Sequence, residues 1–237
     1  MLWLDRLSRR ERVAERMDDP RLDAGEHQRA LAGLARLNRL SRSAELFWPE
    51  IARLARAHPG QPLRVLDLAT GTGDIPLRLA EKARGHGYSH LEFHGCDISP
   101  TAVAEAQKAA ASTGLPVTFF PRNILNDPFD QSYDIVTCSL FLHHLSHDDA
   151  ICVLRRMNQL ARRRILVNDL VRSPGNWLLV WLACRLVSRS SVVHFDGPAS
   201  VRSAFTATEI QTLAEQAGIP RVRVISRPPC RFLLIGK

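Results

Sequence analysis

The chain has 237 residues, 45% of them apolar, with a net charge of +8 and a pI of about 9.9. That length and apolar content suit one α/β domain with decorations. The longest apolar run, Trp177 to Cys184, is far short of the roughly 20 residues of a spanning helix.

The charge permits an anionic partner, either nucleic acid or peripheral contact with an anionic membrane. The basic residues are nearly all arginine and are spread along the chain, with one short run at Arg162-Arg163-Arg164, so they read as solvated surface. Nucleic acid is not expected as a partner. Cys96, Cys138, Cys152, Cys184 and Cys230 form no C-x-x-C pair and read as reduced core residues of a cytoplasmic protein. No metal-ligand spacing is present, and no metal is expected. Met1-Leu-Trp-Leu runs into charges rather than an apolar stretch, so no signal peptide is expected.

Residues 1–58 are helical in pattern and separate from the sheet. Leu2, Leu4 and Leu7 begin the pattern, Met17-Asp-Asp-Pro20 breaks it, and Leu31, Leu34, Leu37 and Leu40 resume it. A further helix through Leu46, Ile51 and Leu54 stops at His58-Pro-Gly60. Next comes Arg64-Val-Leu-Asp-Leu-Ala-Thr-Gly-Thr-Gly-Asp-Ile-Pro76: a short buried strand, a glycine turn, then Asp74 as N-cap and Pro76 in a first helical turn. Strand, glycine turn and helix start make the ligand corner of a doubly wound α/β fold. Strands are predicted at Leu91–Cys96, Val117–Phe120, Tyr133–Cys138 and around Ile165–Val167. The helices between them run from Ile75 to about Arg84, Thr101 to about Ser112 and Asp148 to Leu160. Such alternation implies a parallel sheet. The tail adds a helix from Trp177 to about Val187, a loop at His194-Phe-Asp-Gly-Pro198, a helix opened by the capping box Thr206-Ala-Thr-Glu209, and strands at Val222–Ile225 and Phe232–Ile235.

The run Asp67-Leu-Ala-Thr-Gly-Thr-Gly resembles the first motif of class I S-adenosylmethionine (SAM) methyltransferases. With Ala69 in place of a first glycine, it looks most like the quinone-biosynthesis C-methyltransferases. The stretches Asn168-Asp-Leu, His194-Phe-Asp-Gly-Pro and Ser200-Val-Arg-Ser-Ala-Phe205 resemble methyltransferases associated with type III polyketide synthases. The resemblance implies a Rossmann-like, mostly parallel seven-stranded sheet, with residues 1–58 as a helical lid and residues 59–237 as the SAM-binding domain, carrying a helical insertion at about 174–205. It implies SAM as cofactor. Its contacts would come from Asp67, Ala69, Gly71 and Gly73 at the turn and from Asp97 and Ile98 after the second strand. Asn123, where the family usually has Asp, Ile124 and Ser139 would complete them, and Asn38, Arg39 and Arg42 could reach in from the lid.

Histidine titrates near neutral pH and can take a proton from a phenolic or enolic hydroxyl. His144 is the first candidate base, His143 the second and His194 the third, with Asp169 in reserve. Leu140-Phe-Leu142, Trp177, Trp181 and Phe195 could line a pocket for a small aromatic, quinone-like or polyketide acceptor bearing a hydroxyl. Three other readings stay open: a nicotinamide-dependent oxidoreductase, against which Pro76 stands at the third fingerprint glycine; an RNA methyltransferase, supported only by charge; and a non-enzymatic cofactor-binding protein.

Overall fold

The structure is a computed structural model that describes residues 7–19, 21–23, 25, 26, 28–30, 33 and 43–237. Asn38, Arg39, Arg42 and the leucines expected to form the first two helical stretches, Leu7 apart, lie outside the described residues.

Seven strands form one sheet: β1 (Leu63–Leu68), β2 (Leu91–Asp97), β3 (Val117–Pro121), β4 (Tyr133–Ser139), β5 (Ala161–Leu170), β6 (Arg223–Arg227) and β7 (Arg231–Gly236). Their order across the sheet is β3-β2-β1-β4-β5-β7-β6. β1 to β5 run parallel, and β7 enters antiparallel between β5 and β6. The helices are α1 (Ser43–Ala57), α2 (Asp74–Gly85), α3 (Pro100–Thr113), α4 (His147–Leu160), α5 (Pro174–Val187), α6 (Ser191–Ser203) and α7 (Ala207–Gln216).

Successive strand residues face opposite sides of the sheet, and each side carries its own apolar layer. Leu66, Leu68, Val136, Phe232 and Leu234 pack beneath Leu154 and Met157 of α4 and Leu213 of α7. Leu63, Val65, Ile135, Leu233 and Ile235 pack beneath Phe47 and Ile51 of α1 and Leu79 of α2. Helices on both faces of a sheet make a doubly wound fold, whose ligands collect at the carboxyl ends of the strands where the order reverses. Here that point lies between β1 and β4. The expected caps form: Ser99 accepts from the Ala102 N–H at 3.2 Å with Pro100 at the first position of α3, and Thr206 and Glu209 close a full capping box.

Four expectations need correction. Residues 10–15 are not helical: the N–H groups of Glu11 and Val13 donate to the Arg202 carbonyl and Ser203 Oγ of α6, bonds that replace a helical ladder. Gly73, in a left-handed conformation, holds the N-cap of α2, so Asp74 is inside the helix. The His194–Pro198 stretch is helical, within α6. Gly197 there works as a packing residue rather than a turn, because a Cβ on it would stand 2.3 Å from Cys184 Sγ. Cys152 is exposed, whereas the other four cysteines are buried, and all are free thiols. Among the described residues, no helix is long and apolar enough to cross a membrane.

Candidate active site

Asp67 is the last residue but one of β1 and lies beside its β4 neighbour Thr137, at the reversal point. It is buried, and its two oxygens accept hydrogen bonds from Thr137 Oγ1 at 2.6 Å and Thr70 Oγ1 at 2.8 Å. Burial disfavours the charged carboxylate and pushes its pKa up to about 7. Asp67 thus bolts the turn to the sheet.

The turn itself is held from β2. Thr70 N–H donates to the Cys96 carbonyl at 3.0 Å, and Asp97 accepts from the backbone N–H of Gly71 at 2.8 Å and of Ser99 at 2.9 Å. Ala69, Gly71 and Gly73 all take positive φ, at 52°, 54° and 82°. The two glycines serve different ends. A Cβ on Gly71 would meet nothing within 4 Å, which leaves an open cradle, whereas one on Gly73 would stand 2.6 Å from the Phe119 ring. Gly95 makes room for the same ring and carries no signal in the sequence, because a strand glycine has no turn residues around it. Ile98 projects from the rim of this corner, 65% exposed.

Asn123 turns back on its own loop. Its Oδ1 accepts from Leu125 N–H at 3.0 Å, and its N–H donates to Asp127 at 2.7 Å. Ile124 is buried in the core. Ser139, at the end of β4, accepts from Asn168 Nδ2 at 3.0 Å, and the same amide reaches Ser43 Oγ at 3.1 Å. Asn168 is fully buried, and its Oδ1 has no hydrogen-bond partner among the described residues.

Past β4, a short 3-10 helix carries Leu142, His143 and His144. His143 is buried against Asp169 of β5, with Nδ1 2.7 Å from one carboxylate oxygen and its backbone N–H donating to the other at 3.1 Å. Burial opposes a charged ring. Asp169, and Glu15 at 3.8 Å from Nε2, outweigh it and raise the His143 pKa. The same contact holds Asp169 below the usual carboxylate range despite its burial. The His144 ring lies tilted against that of His143, their centres 4.2 Å apart, and keeps an exposed edge; desolvation, then the charge of His143, push its pKa down to about 4. Both histidines line a cavity of about 330 Å³, walled by Arg12, Val13, Glu15 and Ser203. His194 is elsewhere engaged, its Nε2 2.7 Å from the Ser188 carbonyl. Leu142 is a core residue, and Phe195 is 38% exposed beneath Arg16, so neither forms the expected apolar lining.

The wall formed by residues 12–15 has no signal in the sequence. It is set by contacts more than a hundred residues apart. Arg10 donates to the carbonyls of His143, Leu145 and Ser203, and Asp196 accepts from the N–H groups of Arg16 and Met17. It brings Glu15 to the histidines, where one ligand atom from each of Glu15, His143 and His144 lies within 4.8 Å of the others. A metal ion could use that spacing, which sequence spacing alone does not reveal.

Residues 65–164 match the family described as methyltransferase domain. A demethylmenaquinone methyltransferase of Thermus thermophilus is 39% identical over 124 residues, 51% of this chain and 54% of that protein. A highly reducing polyketide synthase of Pyricularia oryzae is 29% identical over 130 residues, 54% of this chain and 4% of that protein. The chain spans about half the length, or less, of these curated relatives. Among solved structures, magnesium protoporphyrin IX methyltransferase from Synechocystis PCC 6803 with bound SAH superposes with a TM-score of 0.57 at 19% identity. The match covers 99% of this chain and 94% of that one, and it shows a shared fold. The glycine corner, Asp97, Asn123, Ser139 and both histidines lie within the matched residues; Asp169, Ser203 and the wall at residues 12–15 lie outside them.

Proposed function

We infer that the protein is a SAM-dependent methyltransferase acting on a small apolar acceptor that bears an acidic hydroxyl, of an aromatic, quinone-like or polyketide kind. The observation that carries this reading is the buried His143–Asp169 pair, set at the same carboxyl edge of the sheet as the glycine corner. The corner suits SAM on three counts. Gly71 leaves a cradle that a side chain would fill, Asp97 offers a carboxylate beside it for a ribose diol, and Asn168 Oδ1 is a buried acceptor still lacking a donor among the described residues. Pro76 at the third fingerprint position counts against a dinucleotide.

When bound, SAM supplies an electrophilic methyl group on a sulfonium. Asp169 fixes the His143 tautomer with the proton on Nδ1, which leaves Nε2 as the basic atom facing the cavity. A SAM held at the corner by the Gly71 cradle and Asp97 would give that methyl to the acceptor oxygen, or to the carbon conjugated to it, and would keep the bonding pair on its sulfur. The acceptor proton passes to His143 Nε2. His143 therefore replaces His144 as the leading base. In this reading residues 7–19 act as part of the lid, excluding water from the cavity.

The test is turnover of labelled SAM against phenols, quinones and polyketide lactones, with and without chelator. Methyl transfer that persists after chelation, and is lost in His143→Ala, is the expected result. Loss on chelation with recovery on adding metal would move the role of Glu15, His143 and His144 to metal binding. Absence of SAM binding in calorimetry would overturn the reading.

A further inference from the structure

Four of the six large apolar side chains exposed among the described residues lie on one helix, α5: Leu178 at 48%, Leu179 at 47%, Leu182 at 43% and Leu186 at 85%. At about 100° of rotation per residue they share an arc of roughly 100°. The opposite side of α5 is already in use, with Val180 and Cys184 packed on Ala30, Val192 and Val193. The leucine stripe is therefore not a core face turned the wrong way. It is a second apolar face on a helix that contains no acidic residue.

Its margins are basic and aromatic. Arg185 lies over the Trp181 ring at 3.9 Å. At the carboxyl end of the stripe, Arg29, Arg185 and Arg189 surround a pocket of about 560 Å³ next to Leu186, and no acidic side chain among the described residues lines it. Arginine forks match phosphate oxygens, and an indole is at home where apolar and aqueous phases meet. A contiguous apolar patch rimmed by arginines, on a chain of net charge +8, has the complement of an anionic lipid surface.

We propose that α5 docks this protein on an anionic phospholipid bilayer, with the leucine stripe entering the acyl boundary and Arg29, Arg185 and Arg189 taking lipid phosphates. The helix lies in the plane of the interface, since its 14 residues cannot span. This surface is separate from the glycine corner and the histidine cavity, so it stands or falls independently of the proposed reaction.

Sedimentation of the purified protein with vesicles of phosphatidylglycerol and phosphatidylcholine, against vesicles of phosphatidylcholine alone, tests it. The expected result is pelleting with the anionic vesicles that weakens as salt rises. Leu182→Gln with Leu186→Gln should weaken it by about tenfold, and so should Arg185→Gln with Arg189→Gln. Both variants should melt close to the parent, because all four altered side chains are on the exposed face of the protein. No pelleting of the parent with anionic vesicles would overturn the proposal, and so would equal pelleting of the leucine variant. It would also be overturned if the parent self-associates in sedimentation velocity, the leucine variant does not, and neither pellets, because the stripe would then be an interface between copies.

Discussion

At the scale of single residues, the two buried acids of the site are opposites. Asp169 has a cationic partner and is held below its ordinary range; Asp67 has only hydroxyl partners and is raised to about 7. His143 must be neutral to accept a proton, and its pKa is raised, so the acid limb of kcat/KM lies above the ordinary histidine value of about 6.5. Asp169→Asn removes a raising charge: the limb moves to lower pH, while kcat falls by about a hundredfold or more because the imidazole loses its orienting partner. His144, with its pKa near 4, is neutral throughout this range, and His144→Ala leaves the limb in place. A pH–rate series on the three proteins checks this. For Asp67 the folded state holds its proton more tightly than the unfolded chain. Its contribution to stability is therefore full below about 3.9 and is lost as pH rises through about 7. Asp67→Asn keeps both threonine contacts, because a hydroxyl can accept as well as donate. Denaturant titrations from pH 5 to pH 8 should show the parent losing on the order of 1 kcal/mol or more relative to this variant.

At the scale of elements, the corner separates ligand approach from packing. Gly71→Ala costs only the left-handed φ, about 1–2 kcal/mol, yet it places a methyl in the open cradle and should weaken SAM binding sharply. Gly73→Ala costs more in stability, because Phe119 has no room to withdraw between α3 and the sheet. Calorimetry of SAM binding beside thermal melts distinguishes the two. The strands and their helices were legible from alternation and caps, down to the capping box of α7. The helical state of His194–Pro198 was not. Gly-Pro reads as a turn locally. Here Gly197 lets α5 approach, and Asp196 inside α6 tethers residues 16 and 17.

At the scale of the whole molecule, the segment from Leu7 to Asp19 is joined to α6 and to the histidine turn by hydrogen bonds, with Met17 packed on the apolar cluster of Cys184, Val192 and Val193. Asp196→Ala leaves the Arg16 and Met17 N–H groups without this acceptor. The expected loss is about 1–3 kcal/mol, local to the segment. Trypsin should then cut faster between Arg9 and Arg16, KM for the acceptor should rise, and SAM affinity should stay at the parent value. Unchanged proteolysis would mean that the Arg10, Glu11 and Val13 contacts are enough to hold the segment down.

What the sequence determined by itself was local: the order of strands and helices, the glycine turn with an acid on either side of it, and a histidine pair after the fourth strand. Each rests on residues within a few positions of one another, where side-chain period, caps and turn chemistry act directly. Only the tertiary structure decided which histidine gains a carboxylate, because Asp169 reaches it from the neighbouring strand. It also decided that Glu15 and Arg12 wall the cavity, and that α5 turns a leucine face outward. Those are pairings across the fold, and burial and charge depend on what the rest of the chain brings alongside.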